Sequence, residues 1–294
     1  MISHSTCPLC SSGKISLYLN CTDHLLSMEE FDLCKCSECG FIFTGQYPEE
    51  QNIRRYYESD DYISHNDKAK GFLNRIYLQA RSIMLKRKRR MVEKTTGIRK
   101  GRILDFGCGT GYFAAEMKKS GWDVTGIEPN TKARDFASGQ FGLDVKSPEQ
   151  ISGLTTGSFD CITMWHVLEH FHDPFGYSAE IKRLLKPGGL CLCALPNCSS
   201  FDAKHYRESW AAYDVPRHLW HFTPAAFRVF AEKTSFRITG IRSLPLDVFY
   251  ISILSEKNKG SHFPFFKGMI KGSLFGFRSL FDKFKSSSLI YFLR

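Results

Sequence analysis

Between residues 101 and 200, short apolar runs alternate with stretches in which apolar residues recur at helical spacing. Arg102-Ile103-Leu104-Asp105 predicts a first strand and Tyr112–Ser120 a helix, followed by a strand over Asp123–Ile127 and a helix over Thr131–Phe141. Leu143-Asp144-Val145 reads as a short third strand and Phe159–Met164 as a buried fourth, then Ala179–Leu185 as a helix and Gly189–Leu195 as a fifth strand. Strand alternating with helix implies an α/β fold with a doubly wound parallel sheet. Further on, Thr223 at a cap and Pro224 at the first helical position open another helix. Phe236–Ile241 and Ser288–Phe292 read as two more strands. The basic, phenylalanine-rich stretch at 251–285 reads first as a helical excursion packed on its own domain. Its second reading is a segment that meets a membrane surface.

Ahead of residue 101 the pattern is different. Residues 1–48 are short alternating segments broken by Pro8, Gly13, Gly40, Gly45 and Pro48, which suits a small β-rich module. Residues 49–97 hold a tyrosine-rich acidic patch, Tyr56–Tyr62, and then a long helix with Leu73, Ile76, Ala80, Ile83, Met84 and Met91 at helical spacing. The expected organisation is therefore 1–48, 49–97 and 98–294, with 251–285 as an excursion before the last strand.

The chain has 294 residues, 43% hydrophobic and 24% charged, enough for a packed core and unlike a disordered chain. No apolar run reaches the roughly 20 residues of a membrane-spanning helix, and Met1–Thr6 has neither the basic nor the apolar region of a signal peptide. The expected location is the cytoplasm, with peripheral contact at the inner membrane face through 251–285. The net charge of +10 is concentrated in 81–102, which includes Lys86-Arg87-Lys88-Arg89-Arg90, and in the last forty or so residues. The first run continues a helical pattern and reads as the solvated face of an amphipathic helix; its other reading is a nucleic-acid footprint.

Of the 11 cysteines, the five beyond residue 100 sit in apolar segments and read as core. The N-terminal ones include two knuckles, Cys7-Pro8-Leu9-Cys10 and Cys36-Ser37-Glu38-Cys39. Four thiolates so arranged suit tetrahedral zinc in a closed, structural site, with Cys7, Cys10, Cys36 and Cys39 as ligands and Cys34 as a competitor. A thioredoxin-like redox role would need a βαβ context, which this segment lacks.

The stretch Ile103–Tyr112 carries Asp105-x-Gly107-x-Gly109-x-Gly111 between a predicted strand and a predicted helix. Glycine there allows a tight turn and close approach of a ligand. A dinucleotide fingerprint would need glycine at position 112, which is Tyr. With Glu128 after the second strand, this order resembles the class I S-adenosylmethionine-dependent methyltransferases, and the resemblance spans about 101–245. It implies a Rossmann-like methyltransferase sheet preceded by a zinc ribbon. S-adenosylmethionine would lie on Asp105, Gly107, Gly109, Gly111 and Glu128, with Met164 in the fourth strand and Tyr62 in an overlying lid. Glu128 would accept the ribose hydroxyls, as acidic residues at this position do in related folds. The acidic residue that many members use for adenine after the third strand is absent; Lys146-Ser147-Pro148 follows instead.

Methyl transfer needs alignment of donor and acceptor and removal of a proton from a hydroxyl or carbon acceptor. The candidates are His166, Glu169 and His170 after the fourth strand, and His218 in Pro216-Arg217-His218-Leu219-Trp220-His221-Phe222-Thr223. At helical spacing, Glu169 and His170 would share a face with His166. These segments resemble a branch that modifies sugar nucleotides and surface-polysaccharide precursors, which implies a small or lipid-linked glycan acceptor and an acceptor-side role for His218. Arg217 stands where the C-methylating members have an acidic residue, so oxygen methylation is at least as well supported. The alternative follows from a second resemblance. Ubiquinone-pathway O-methyltransferases and certain RNA 2′-O-methyltransferases carry Glu-x-x-Glu-His at this place and bind a divalent metal. Here the order is His166-x-x-Glu169-His170, with His218 or His221 available to complete the set. A nucleic-acid methyltransferase using the ribbon and Lys86–Arg90, and a cofactor-binding module without chemistry, are the remaining readings.

Overall fold

A computed structural model describes residues 1–57 and 72–294. Two compact units share the chain. The first comprises the described residues of Met1–Glu58 together with Leu168–Pro174 and Ala194–Tyr291. The second comprises the described residues of Ser59–Val167 together with Phe175–Cys193 and Phe292–Arg294. The units thus interleave along the chain, where the sequence reading placed boundaries after 48 and 97.

The first unit opens with strands β1 (Ile2–Ser3), β2 (Ile15–Thr22), β3 (Glu30–Cys36), β4 (Ile42–Thr44) and β5 (Gln46–Tyr47). β2 pairs antiparallel with β3, β3 with β4, and β1 with β5. β3 alternates exposed and buried residues over Glu30–Leu33, as a half-buried strand should, with Phe31 and Leu33 inside.

Among the described residues, the second unit starts with helix α1 (Phe72–Thr96), followed by β6 (Arg102–Phe106), α2 (Tyr112–Lys119), β7 (Asp123–Ile127), α3 (Thr131–Phe141) and β8 (Asp144–Lys146). β9 (Phe159–Trp165), α4 (Pro174–Leu184) and β10 (Leu185–Pro196) complete the series, with the last three residues of β10 and Pro174 counted in the first unit. The strand order is β10-β9-β6-β7-β8. β6 runs parallel to both β7 and β9, and β7 runs parallel to β8. After its first residue β6 is wholly buried, the mark of a parallel strand covered on both faces. The order winds outward from β6 through β7 to β8 and then returns to β9, so the topological switch lies between β6 and β9. In open α/β sheets, ligands bind beyond the carboxyl ends of the strands at that point. Helix α4 begins at Pro174, five residues earlier than expected, since proline suits a first helical position.

Only part of the basic run is solvated. Lys86, Arg87 and Arg90 are exposed, but Arg89 pairs with Glu116 at 3.1 Å and Lys88 lies 4.1 Å from the Trp165 ring centroid. Long basic side chains lay their stems on apolar surface, which the periodicity alone does not reveal.

Back in the first unit, α5 (Phe201–Tyr206), β11 (Trp220–His221), α6 (Pro224–Lys233), β12 (Ile238–Ser243), α7 (Asp247–Asn258), α8 (Pro264–Phe281) and β13 (Ser288–Leu293) follow. β13 neighbours β12 and β10, and its six residues are all buried. The excursion at 251–285 is the expected helical one, a pair of helices. β11 pairs antiparallel with β4, Trp220 opposite Phe43 and His221 opposite Ile42. The N-terminal four-stranded sheet is therefore completed by residues from far along the chain. A two-residue strand has no periodic signature, so the sequence pattern could not predict it. No described helix is long and apolar enough to cross a membrane.

Candidate functional site

The glycine loop leaves the carboxyl end of β6. The amides of Gly107 and Cys108 both donate to the Ile127 carbonyl, at 2.7 and 3.0 Å, which ties the loop to the end of β7. All three glycines have positive φ: 66° at Gly107, 53° at Gly109 and 80° at Gly111. They serve different purposes. A Cβ on Gly107 would stand 2.5 Å from Val167 Cγ2, and one on Gly111 would stand 2.7 Å from Leu143 Cδ1, so packing excludes side chains there. A Cβ on Gly109 would meet no atom within 4 Å. Space over that residue is what a bound ligand requires, and so the loop fits a cofactor.

Glu128 follows β7, and its two carboxylate oxygens are oriented from opposite sides. One accepts from the Gly109 amide at 2.8 Å and the other from the Asn130 amide at 2.9 Å. Asn130 in turn caps α3, accepting from the Ala133 amide at 3.1 Å. Burial raises the Glu128 carboxyl above its ordinary range, and the two amides partly offset that rise. Asp105 is 2% exposed and accepts from the Thr163 hydroxyl at 2.7 Å. Burial pushes its carboxyl up to about 7 against the pull of Thr163 and Lys88. Met164 is buried opposite Phe106 in the β6–β9 register. Tyr62 lies outside the described residues.

His166, just past β9, is half-buried with φ of 60°. That left-handed backbone ends the strand and cannot continue into a right-handed helix, so the shared helical face expected for His166, Glu169 and His170 is not formed. The short 3₁₀ turn that follows contains only Leu168–His170.

In the first unit, Glu169, His170 and His218 come together with one ligand atom of each within 4.8 Å of the others. The two imidazoles lie against backbone carbonyls. His170 Nδ1 lies 3.0 Å from the Arg217 carbonyl, and His218 Nδ1 lies 2.9 Å from the Ala212 carbonyl. A carbonyl only accepts, so Nδ1 of His218 carries a hydrogen, whereas His170 Nδ1 also faces the Tyr57 hydroxyl at 3.0 Å. The two rings meet edge to face, with centroids 4.5 Å apart. Burial, together with the neighbouring His218, lowers His170 to about 4. Histidine ligands usually donate their second nitrogen to a carbonyl or carboxylate, and His218 has that form. His221 takes another part. The Thr44 hydroxyl donates to the His218 carbonyl at 2.8 Å, so at 3.2 Å it accepts from His221 Nε2. His218 rather than His221 completes the trio.

Sequence reasoning missed what Arg217 does. It is 1% exposed and donates to Asp23 at 2.8 Å, to Asp214 at 2.6 Å and to the Tyr56 carbonyl at 3.0 Å. Burial would raise both carboxyls, but the guanidinium outweighs it and holds Asp23 and Asp214 below the usual range. Asp214, three residues before the arginine, was the only local signal.

The four cysteines of the knuckles also converge, with all four sulfurs within 4.8 Å of one another. Cys7 and Cys39 Sγ are 3.6 Å apart, and Cys10 and Cys36 Sγ are 3.5 Å apart. A tetrahedron with metal–sulfur bonds of about 2.3 Å has edges of about 3.8 Å, so the set fits a zinc ion. Cys34 stands outside it, and buried Cys21 belongs to the core.

Comparison with known proteins agrees with this architecture. Residues 77–240 match the family described as Methyltransferase domain. The ubiquinone biosynthesis O-methyltransferase of Maricaulis maris is 35% identical over 131 residues, 41% of this chain and 52% of that protein. Its namesake from Xanthomonas oryzae pv. oryzae is 38% identical over 130 residues, 41% of this chain and 54% of that protein. The chain thus spans about half the length of the curated relatives it matches. Among solved structures, a candidate sarcosine dimethylglycine methyltransferase from Galdieria sulphuraria aligns with a TM-score of 0.50 at 18% identity, over 71% of this chain and 85% of that one. That likeness concerns the fold. With the family match covering more than half its length, the chain belongs to the methyltransferase-domain family and carries a domain of the class I S-adenosylmethionine-dependent type.

Proposed function

We propose that this protein transfers the methyl group of S-adenosylmethionine to an oxygen of a small-molecule acceptor, with a divalent metal held by Glu169, His170 and His218. The observation that carries the reading is the convergence of these three ligands, with Nδ1 of each imidazole against a backbone carbonyl. The relatives named as O-methyltransferases favour oxygen as the acceptor atom, whereas nothing in the comparisons favours a glycan.

On the cofactor side, Gly109 leaves room for the ligand and Glu128 accepts from the ribose hydroxyls. Asp105 places an acidic group near the cationic end. Transfer forms a bond from acceptor oxygen to methyl carbon and breaks the carbon–sulfur bond, and the hydroxyl proton must leave. When bound, a divalent cation would stabilise the ionised acceptor oxygen. Glu169 supplies one hard donor, and the two histidines supply borderline nitrogens, a set that suits manganese, cobalt or zinc better than magnesium. Adjacent hydroxyls on one ring would chelate such an ion, so a catechol is the first acceptor to try. The four cysteines hold a second, structural zinc.

The test uses methyl-labelled S-adenosylmethionine, a catechol and a fractionated cell extract. Label is expected in the catechol or in the small-molecule and lipid fractions, lost on treatment with a chelator and restored by manganese. His218→Ala should lower turnover by about 100-fold or more while sparing cofactor binding. Label in RNA or protein would overturn the acceptor class, and chelator-resistant turnover would overturn the metal.

A further inference from the structure

The helix α8 shows solvent a face that soluble proteins ordinarily hide. It has 18 residues and would be about 27 Å long. Its buried side is Gly268, Gly272 and Phe275. A Cβ on Gly268 would lie 2.5 Å from Ile253 Cα, and one on Gly272 would lie 2.9 Å from the Phe249 ring. The glycines thus let α8 rest against the backbone of α7, and with glycine on the inner side the large side chains are left on the outer one.

At 100° per residue, the exposed apolar positions form a continuous arc of about 180°, from Phe265 at one edge to Leu274 at the other. Within it, Phe266, Ile270, Phe277 and Phe281 are 60–80% exposed, and Ser273 is the only polar residue. Lys267, Arg278 and Lys271 fall together just past the Leu274 edge, between the apolar arc and the buried face. The helix carries no acidic residue, and Lys283 and Lys285 follow it closely.

We infer that α8 is an interfacial anchor that lies in the surface of an anionic bilayer. An apolar arc needs acyl chains, and a row of cations along its margin needs phosphates at the level of the headgroups. A bilayer surface offers both in that arrangement. The cations also bar a spanning orientation. A second copy of this helix would add more cations and no acidic residue to pair with them, and so charge favours the lipid. The inference does not depend on the acceptor, because methyl transfer to a catechol can fail while vesicle binding stands.

The experiment is sedimentation of the full chain with vesicles of phosphatidylcholine alone and of phosphatidylcholine mixed with phosphatidylglycerol. Binding to the mixed vesicles should be at least about tenfold tighter than to the neutral ones and should weaken with added salt. The double variant Phe266→Asp/Ile270→Asp should bind about tenfold more weakly or worse, with an unchanged melting temperature because both side chains face water. Lys267→Glu/Lys283→Glu should lose only the preference for anionic lipid. Three results would overturn the inference. They are no sedimentation with mixed vesicles at low salt, equal binding by the aspartate variant, or a wild-type dimer that the aspartate variant dissolves while neither protein binds vesicles.

Discussion

The glycine loop and the histidine cluster are built in opposite ways. Asp105, Gly107–Gly111 and Glu128 lie within one strand–loop–helix–strand passage, and apart from the Thr163 hydroxyl on Asp105 the hydrogen bonds that shape it stay close to that passage. Glu169, His170 and His218 come from two distant segments. They are braced by Thr44 from β4 and, through Arg217, by Asp23 and Tyr56. A locally built site stands or falls with its own residues. A distributed one is exposed to damage far from its chemistry.

Three changes would break or sharpen that contrast. The largest effect should come from Cys36→Ser, which removes one of four thiolates. Elemental analysis should find the zinc content lower by about one per chain, and the N-terminal strands should lose protection from hydrogen exchange, since a structural zinc contributes about 10 kcal/mol or more. Affinity for S-adenosylmethionine, measured on the protein that remains folded, should change by less than about threefold. Equal loss of both would show that the loop is not local after all.

Next is Arg217→Met, which strands Asp23 and Asp214 in the interior. Unfolding in urea should show a loss of about 3–5 kcal/mol. It should also weaken metal binding at the histidines, because without its anchors to Asp23, Asp214 and Tyr56 the backbone that sets the Arg217 carbonyl against His170 is free to shift. Retained metal affinity would confine the arginine to a purely structural part.

The smallest effect belongs to the local site. Asp105 titrates at about 7 in the folded protein against 3.8 in the unfolded chain. Between those values the native state binds the extra proton, so stability falls as pH rises through that window. Asp105→Asn should therefore raise the melting temperature at pH 8 and leave it nearly unchanged at pH 4. A gain that is the same at both pH values would mean that desolvation of the charge is not its cause.

The same contrast decides what could be read from the chain. The parallel sheet was legible because each buried strand and amphipathic helix carries its own periodicity, and the glycine loop because its chemistry is contiguous. The cysteine knuckles were legible despite their separation, since spacing within each pair identifies a ligand. Glu169 and His170 were legible as a motif, but the left-handed turn at His166 was not, because nothing in a Trp-His-Val sequence demands it. Arg217 looked like a departure from a pattern when it is the hub of a buried ion network. Its partners are 3 and 194 residues away, and only the nearer one leaves a trace.

That separation has a consequence for the newborn chain. Asp23 leaves the ribosome long before its guanidinium partner exists. At about 5–20 residues per second, the wait is roughly 10–40 s. Until Arg217 emerges, the site that Asp23 will fill has no compensating charge, and β4 lacks its neighbour at Trp220–His221. The segment around Asp23 and β4 is thus made well before it can be finished.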